Sequence, residues 1–175
     1  RDRLKLYVRV NTEADQNEEI KEECRHYFAS LEKGDEDAVK IWTWIREISL
    51  KEFNIVYDLL GIKFDSYNGE SFYSDKMMKQ VERMEKLGIL KDSEGAKIVD
   101  LEKYNLPPAL ILKSDGSTIY ITRDIAAAEY RHETYHPEKN IYVVATEQNL
   151  HFKQLKAVLK EMQYDWYDDC LLYTS

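Results

Sequence analysis

The sequence is poor in the residues that build phosphate-binding loops, disulfide scaffolds and membrane spans. Gly occurs six times in 175 residues, never as G-x-G-x-x-G or G-x-x-x-x-G-K, which excludes a glycine-rich phosphate loop. Its two cysteines, Cys24 and Cys170, lie far apart, as is typical of reduced thiols in a cytoplasmic protein. No apolar run approaches the roughly 20 residues of a membrane helix, and no secretory signal pattern opens the chain.

The sequence also has fewer basic residues than acidic ones. The 33 acidic residues outnumber the 25 basic ones, giving a net charge of −8. A protein that holds nucleic acid mainly through its own surface is usually basic, so any large nucleic-acid surface is expected outside this chain. The hydrophobic content of 43% and charged content of 33% are typical of a globular protein with one ordinary domain or two small ones.

Residues 1–112 read as a mostly helical segment with β-hairpins. The first ten residues fit either a strand or the start of a helix. Apolar residues recur every three or four positions over 35–60, which predicts a long amphipathic helix with Asp35 as its N-cap and Gly61 after its end. Turn signals predict three short hairpins, at Asn68-Gly69, at Ser93-Glu94-Gly95 and at Asp115-Gly116.

Residues 113–175 alternate between strand and helix patterns. The expected order is a strand at 118–121, a helix at 122–135 with Thr122 as N-cap, a strand at 141–145 and a helix at 149–162. Short links between such elements indicate parallel strands, so the sequence predicts an α/β fold with a parallel β-α-β-α unit.

Four polar side chains follow the two predicted strands. Tyr120 and Asp124 belong to the first strand-to-helix corner, and Gln148 and His151 to the second. Because parallel strands end at one edge of a sheet, we expect these side chains to share a crevice. A carboxylate and a phenol together suit a guanidinium, since both accept hydrogen bonds. The alternative is that Asp124 only stabilises the start of its helix and Tyr120 only packs.

The histidines leave further alternatives. His151 either lines a nucleotide pocket or sits in the first turn of a helix without a ligand. His132 and His136 have the i, i+4 spacing of metal ligands, but Pro137 ends the helix and no third ligand is evident, so we expect no metal site.

Three stretches carry a resemblance to a known family. They are Y-x-T-R-D-x-A from Tyr120, VVATEQNLHFKQL from Val143, and IWTWIREISLKEFNIVYDLLGIKFD from Ile41. Together they resemble arginyl-tRNA synthetases, which are class I aminoacyl-tRNA synthetases, over roughly residues 35–169. The resemblance implies that 113–175 is the second half of a Rossmann-like catalytic fold and that 1–112 is an insertion within the catalytic domain.

The resemblance also implies roles for the four polar residues. Tyr120 and Asp124 would contact the side chain of L-arginine, Gln148 would help hold the amino acid, and His151 is a candidate for nucleotide binding. The implied substrates are L-arginine, ATP with Mg²⁺, and tRNA(Arg), in the cytoplasm, with no tightly bound cofactor. No catalytic residue is assigned in this chain.

Two motifs of that family are absent from the sequence. Class I synthetases handle the ATP phosphates with an HIGH-type and a KMSKS-type sequence, and neither occurs here. We therefore expect an interior piece of the enzyme that is inactive alone and self-associates through an exposed sheet edge. The initial Arg agrees with a fragment, and the final LLYTS is expected to be an artificial tail. The alternative function is a non-catalytic α/β interaction module whose long helix binds a partner.

Overall fold

The computed structural model describes residues 2–174, which form two compact units that divide between Ser66 and Tyr67. The division expected at residue 112 rests on a change of sequence pattern toward a nucleotide-binding fold, and it stays a prediction. None of the helices within 2–174 is long and apolar enough to cross a membrane.

The described elements of the first unit are all helices, namely α1 (Asp2–Gln16), α2 (Glu18–Glu32) and α3 (Glu36–Leu60). The first ten residues are helical from Asp2 onward, which decides between strand and helix. Asn17 separates α1 from α2 and caps α2, since its side-chain oxygen accepts the Glu19 N–H at 2.9 Å.

The long helix α3 confirms the prediction for residues 35–60. Asp35 accepts the Ala38 N–H at 3.0 Å, and Gly61 takes the left-handed conformation at φ 67°, which a residue with a side chain rarely adopts. No α3 residue is buried within the described chain, and Trp44 and Leu59 are 59% and 84% exposed. Within the described chain, α3 is therefore held by its caps and by its contact with α2, without a core of its own.

The second unit begins with helix rather than with the hairpin predicted at Asn68-Gly69. That prediction is wrong, because Glu70–Lys76 forms a 3₁₀ helix that leads into α4 (Met77–Lys86). Phe72 and Tyr73, expected to flank a turn as strand residues, pack instead on Tyr130, with ring centroids 5.0 and 5.8 Å from it. Tertiary packing thus outweighs the local turn signal.

A three-stranded antiparallel sheet follows. Its strands are β1 (Leu90–Ser93), β2 (Ala96–Val99) and β3 (Ala109–Leu112), in the order β1-β2-β3. The hairpin predicted at residues 93–95 is confirmed, with Ser93 opposite Ala96. The turn at Asp115-Gly116 also forms, and the Lys113 N–H donates to the Ser117 carbonyl at 2.9 Å.

The strand predicted at 118–121 is wrong, and with it the parallel pairing of that strand to 141–145. Thr118 makes one antiparallel bridge to Leu112, and helix α5 (Tyr120–Tyr135) has already begun two residues later. Thr122 is not the N-cap: it lies inside α5, and Ile119 precedes the helix. The buried Thr122 hydroxyl donates to the Ile111 carbonyl at 2.8 Å, which ties the first turn of α5 to β3.

Parallel strands do occur, one element later than predicted. Strand β4 (Asn140–Val144) pairs in parallel with β5 (Cys170–Thr174), and α6 (Asn149–Glu161) connects them. Tyr142 packs on Phe152 of α6 at 4.7 Å, whereas Val143 on the opposite face is 74% exposed. The β-α-β unit is therefore covered by a helix on one face only, within the described residues.

The core of the second unit lies where α4, α5 and α6 pack with the antiparallel sheet. Its largest fully buried apolar side chains are Met84, Leu101, Ile111, Ile125, Leu155, Leu159 and Met162. Burial of one such side chain contributes about 1.5–3 kcal/mol, so this cluster supplies much of the stability of the unit.

A buried carboxylate joins the helices at one end of this core. Glu129 of α5 is 6% exposed and accepts hydrogen bonds from the Tyr164 hydroxyl at 2.7 Å, from Gln80 Nε2 at 2.5 Å and from Lys79 Nζ at 3.1 Å. Burial raises the pKa of Glu129, but these hydrogen bonds outweigh it and hold the pKa below its ordinary value. The carboxylate links α5 to α4 and to the segment after α6.

Glu129→Gln is expected to destabilise the chain by about 1–3 kcal/mol at neutral pH, since it leaves buried donors without an acceptor. Glu133→Gln, the same change at an exposed site of α5, should shift the free energy of unfolding by less than about 0.5 kcal/mol. Urea unfolding measures both.

The pH dependence has a definite sign. Because the folded-state pKa of Glu129 is depressed, its contribution is present above the unfolded-state pKa and is lost as the pH falls through the folded-state value. The difference between wild type and Glu129→Gln should therefore shrink below about pH 4. Equal destabilisation by the two substitutions would contradict this role.

Candidate substrate-binding site

Helices α5 and α6 present the four predicted polar residues near their N-terminal ends. Tyr120 is the first residue of α5, and Asp124 follows one turn later on the same face. His151 is the third residue of α6, and Gln148 ends a 3₁₀ turn, Thr146–Gln148, just before that helix.

Three of these residues form a contiguous set, the Tyr120–Asp124–His151 cluster. His151 Nε2 lies 2.6 Å from Asp124 Oδ2, and the Tyr120 ring centroid lies 4.9 Å from the imidazole centroid at an interplanar angle of 55°. Side-chain exposure is 9% for His151 and 35% for Asp124, while Tyr120 is 60% exposed. The imidazole forms the base of the cluster, and the carboxylate and phenol face solvent.

Gln148 stands beside the cluster without joining it. Its backbone N–H donates to the Ala145 carbonyl at 3.0 Å, while no hydrogen bond of its exposed side chain occurs among residues 2–174. It precedes His151 by three residues, which is about one helical turn. The crevice expected for all four residues is therefore observed as contacts among three of them.

Asp124 does not lie in the first turn of α5, where an acidic residue would stabilise the start of the helix. It is the fifth residue of α5, and the first turn of that helix contains no acidic residue. The neighbouring Arg123 forms an ion pair with Glu70, with 2.6 Å between the guanidinium nitrogen and the carboxylate oxygen. The Asp124 carboxylate instead bonds to His151, and Oδ1 receives no hydrogen bond from the described residues. A solvent-facing carboxylate with an open oxygen beside a phenol suits a cationic ligand that donates several N–H groups.

His132 and His136, the pair with metal-ligand spacing, have structural surroundings. His132 stacks on Trp166, with ring centroids 4.5 Å apart and planes 14° apart. His136 caps the end of α5 in the left-handed conformation at φ 45°. Among residues 2–174 no group of three or more His, Cys, Asp or Glu side chains is arranged to hold a metal ion.

Two features of this region were not predicted from the sequence. His151 and Asp124 were expected at neighbouring corners, but their direct contact was not. Glu129 was not expected to have a structural role, although its position on the buried side of a helix was an available signal, because a charged residue there needs partners.

Comparison with known proteins identifies the family. Residues 1–171 match the family model described as tRNA synthetases class I (R), catalytic domain. The chain belongs to this family. The R denotes arginine, so the motifs at Tyr120, Val143 and Ile41 resemble arginyl-tRNA synthetases because the chain shares ancestry with them.

The curated relatives are named arginine–tRNA ligases. The chain is 60% identical over 166 residues to an arginine–tRNA ligase of Streptococcus suis, which covers 95% of the chain and 30% of the relative. It is 58% identical over 168 residues to an arginine–tRNA ligase of Halothermothrix orenii, covering 96% of the chain and 30% of the relative. The chain thus spans about 30% of the length of these curated relatives.

Solved structures agree with the fold. An arginyl-tRNA synthetase of Plasmodium falciparum superimposes with a TM-score of 0.77 at 28% identity, over 90% of this chain and 28% of that one. A putative arginyl-tRNA synthetase of Campylobacter jejuni gives a TM-score of 0.71 at 17% identity, over 88% and 34% of the two chains, and supports the fold alone. The α/β class I catalytic fold is therefore shown for this synthetase-family chain.

The geometry of the cluster predicts a single neutral tautomer for His151. A hydrogen bond to a carboxylate requires a proton on Nε2, because both carboxylate oxygens are acceptors. In alkaline buffer, long-range ¹H–¹⁵N spectra of the 175-residue chain should show His151 as the Nε2–H form, and Asp124→Ala should relax this preference. His26 on exposed α2 is the internal control. A predominantly Nδ1–H form of His151 would contradict the hydrogen bond.

Proposed function

We propose that this chain is part of an arginine–tRNA ligase and that the Tyr120–Asp124–His151 cluster recognises the side chain of L-arginine. The observation that carries the proposal is the Asp124 carboxylate, which stands beside the exposed Tyr120 with one oxygen open. Family membership supports the reaction, in which the full enzyme activates arginine with ATP and transfers it to tRNA(Arg).

The proposed chemistry follows from charge and shape. A guanidinium is planar and carries five N–H donors, so it matches a carboxylate better than an ammonium does. The Tyr120 hydroxyl can accept a further N–H, and its ring gives a face on which a guanidinium can stack. Gln148, about one helical turn from His151, would help hold the amino acid, as the resemblance implies.

The chain contributes binding rather than chemistry on the phosphates. ATP with Mg²⁺ enters as a substrate, and neither sequence motif that handles it occurs here. The contribution of these residues to catalysis is to orient arginine for attack, which is a positioning effect. We place the reaction in the cytoplasm, in agreement with the two cysteines, which are free thiols.

The interaction-module alternative required an exposed apolar face on the long helix. Such a face exists, since Ile41, Trp44 and Leu59 are each more than half exposed. Because the chain spans about 30% of its relatives, we propose that the remainder of the enzyme covers this face and that the isolated chain self-associates through it or through the edges of the β4–β5 sheet.

Asp124→Asn in the intact parent tests arginine recognition. It preserves shape and removes the charge. A bound guanidinium would bury the pair that it forms with Asp124, and breaking one side of a buried charge pair costs about 3–5 kcal/mol. The kcat/KM for arginine should therefore fall by roughly two to three orders of magnitude, with little change in KM for ATP.

Asp92→Asn, the same substitution on the exposed β1 strand, is the matched control and should leave the kinetics near wild type. Equal losses for arginine and ATP in Asp124→Asn would show that Asp124 is only structural.

A second test concerns the isolated chain. We expect no aminoacylation from the purified 175 residues with arginine, ATP and matching tRNA, because the groups that stabilise charge on the phosphates are absent. The intact parent, assayed in parallel, is the positive control, and size-exclusion chromatography reports self-association. Turnover from the chain without contaminating host synthetase would refute this expectation.

A further inference from the structure

His151 contacts the Asp124 carboxylate, which in the proposed function binds the side chain of arginine. We propose that His151 is a positioning residue that fixes the Asp124 carboxylate in one orientation for a guanidinium ligand. This inference rests on the proposed function, and it gives His151 a role in amino-acid recognition.

The contact engages one side of the carboxylate only. Nε2 of His151 lies 2.6 Å from Oδ2, which is short for an N–H···O bond, while Oδ1 has no hydrogen bond from residues 2–174. An Asp side chain without this contact rotates about two torsions. With Oδ2 held, rotation of the carboxylate is restricted and Oδ1 keeps its lone pairs for a ligand.

The imidazole is itself well anchored. Its ring contacts those of Tyr120 and Phe152, at 4.9 and 5.0 Å between ring centroids. The turn that carries it belongs to α6, whose Leu155 is 1% exposed and whose Gln154 side chain donates to the carbonyls of Pro107 and Pro108 at 3.0 and 3.1 Å. A fixed donor on a fixed helix can therefore hold the more exposed carboxylate.

Burial favours an indirect role over direct ligand contact. His151 is 9% exposed, and its Nε2 is already bonded to Asp124. Asp124 and Tyr120, which both contact the imidazole, are more exposed than it is. A ligand that reaches this cluster would meet the carboxylate and the phenol first, so His151 acts on it through them.

The expected effect is specific to arginine. Ordering a mobile carboxylate on binding costs free energy, and a carboxylate that is already ordered avoids that cost. Removing the Nε2 donor should raise KM for arginine roughly 3- to 10-fold, the range that immobilising one or two torsions corresponds to. KM for ATP should stay within about 2-fold of wild type, because the orientation of Asp124 does not bear on ATP.

Two substitutions in the intact parent enzyme separate the hydrogen bond from ring packing. His151→Phe keeps an aromatic ring against those of Tyr120 and Phe152 but removes the donor. His151→Gln places an amide N–H at a similar distance from the backbone and should restore KM for arginine to within about 2-fold of wild type. His151→Asn, whose side chain is too short to reach Oδ2, replaces the Phe variant if that variant does not fold.

A double-mutant cycle shows whether His151 acts through Asp124. In an Asp124→Asn background, His151→Phe should change kcat/KM for arginine by less than about 2-fold, because the charge that it positions is already gone. A purely structural role would instead give the same loss in both backgrounds, with a matching fall in melting temperature.

The outcomes are decisive and separate from those of the proposed function. A raised KM for ATP in His151→Phe would overturn the inference in favour of nucleotide contact, and an unchanged KM for arginine would overturn it outright. Failure of the wild-type parent to charge tRNA with arginine would instead reject the proposed function. Wild-type activity with additive effects in the cycle would reject only the positioning role.

Discussion

The close packing of helix α5 is the constraint on which the second unit depends. Its buried residues include three consecutive alanines, Ala126–Ala128, so this turn is packed on more than one side, and their small side chains let neighbouring elements approach closely. Thr122 bonds the start of the helix to β3, and Glu129 bonds its middle to α4 and to Tyr164. A helix held at both points presents Tyr120 and Asp124 from a fixed base, as the proposed recognition site would require.

The sequence predicted the elements whose local signals agree with their tertiary setting. Helix α3 has a cap, a periodic apolar pattern and a terminal glycine, and it forms as expected. The segment Thr118–Ile121 is different. Its β-branched residues favour a strand, but only Thr118 bridges to Leu112, and helix α5 has begun at Tyr120. The Thr122–Ile111 hydrogen bond and the burial of Ile121 stabilise the first turn of that helix. Burial and hydrogen bonding to β3 cannot be read from a window of four residues.

The grouping of the candidate residues was predicted more closely than the elements that carry them, and their role in binding stays a prediction. Tyr120, Asp124 and His151 come together although one of the two strands expected to position them does not form, because the N-terminal ends of α5 and α6 lie near each other. The direct His151–Asp124 bond joins positions 27 residues apart on two helices, so sequence spacing carries no signal of it. The binding roles of all four residues remain predictions, and the Gln148 side chain has no hydrogen bond with the cluster.

A structure of the intact parent enzyme with L-arginine bound is the most direct test of the account. It should place a guanidinium nitrogen about 2.7–2.9 Å from a carboxylate oxygen of Asp124. His151 Nε2 should remain on the other oxygen, and the Tyr120 ring should lie against the ligand. Arginine bound with its guanidinium away from Asp124, or with the His151–Asp124 bond broken to admit it, would contradict the account.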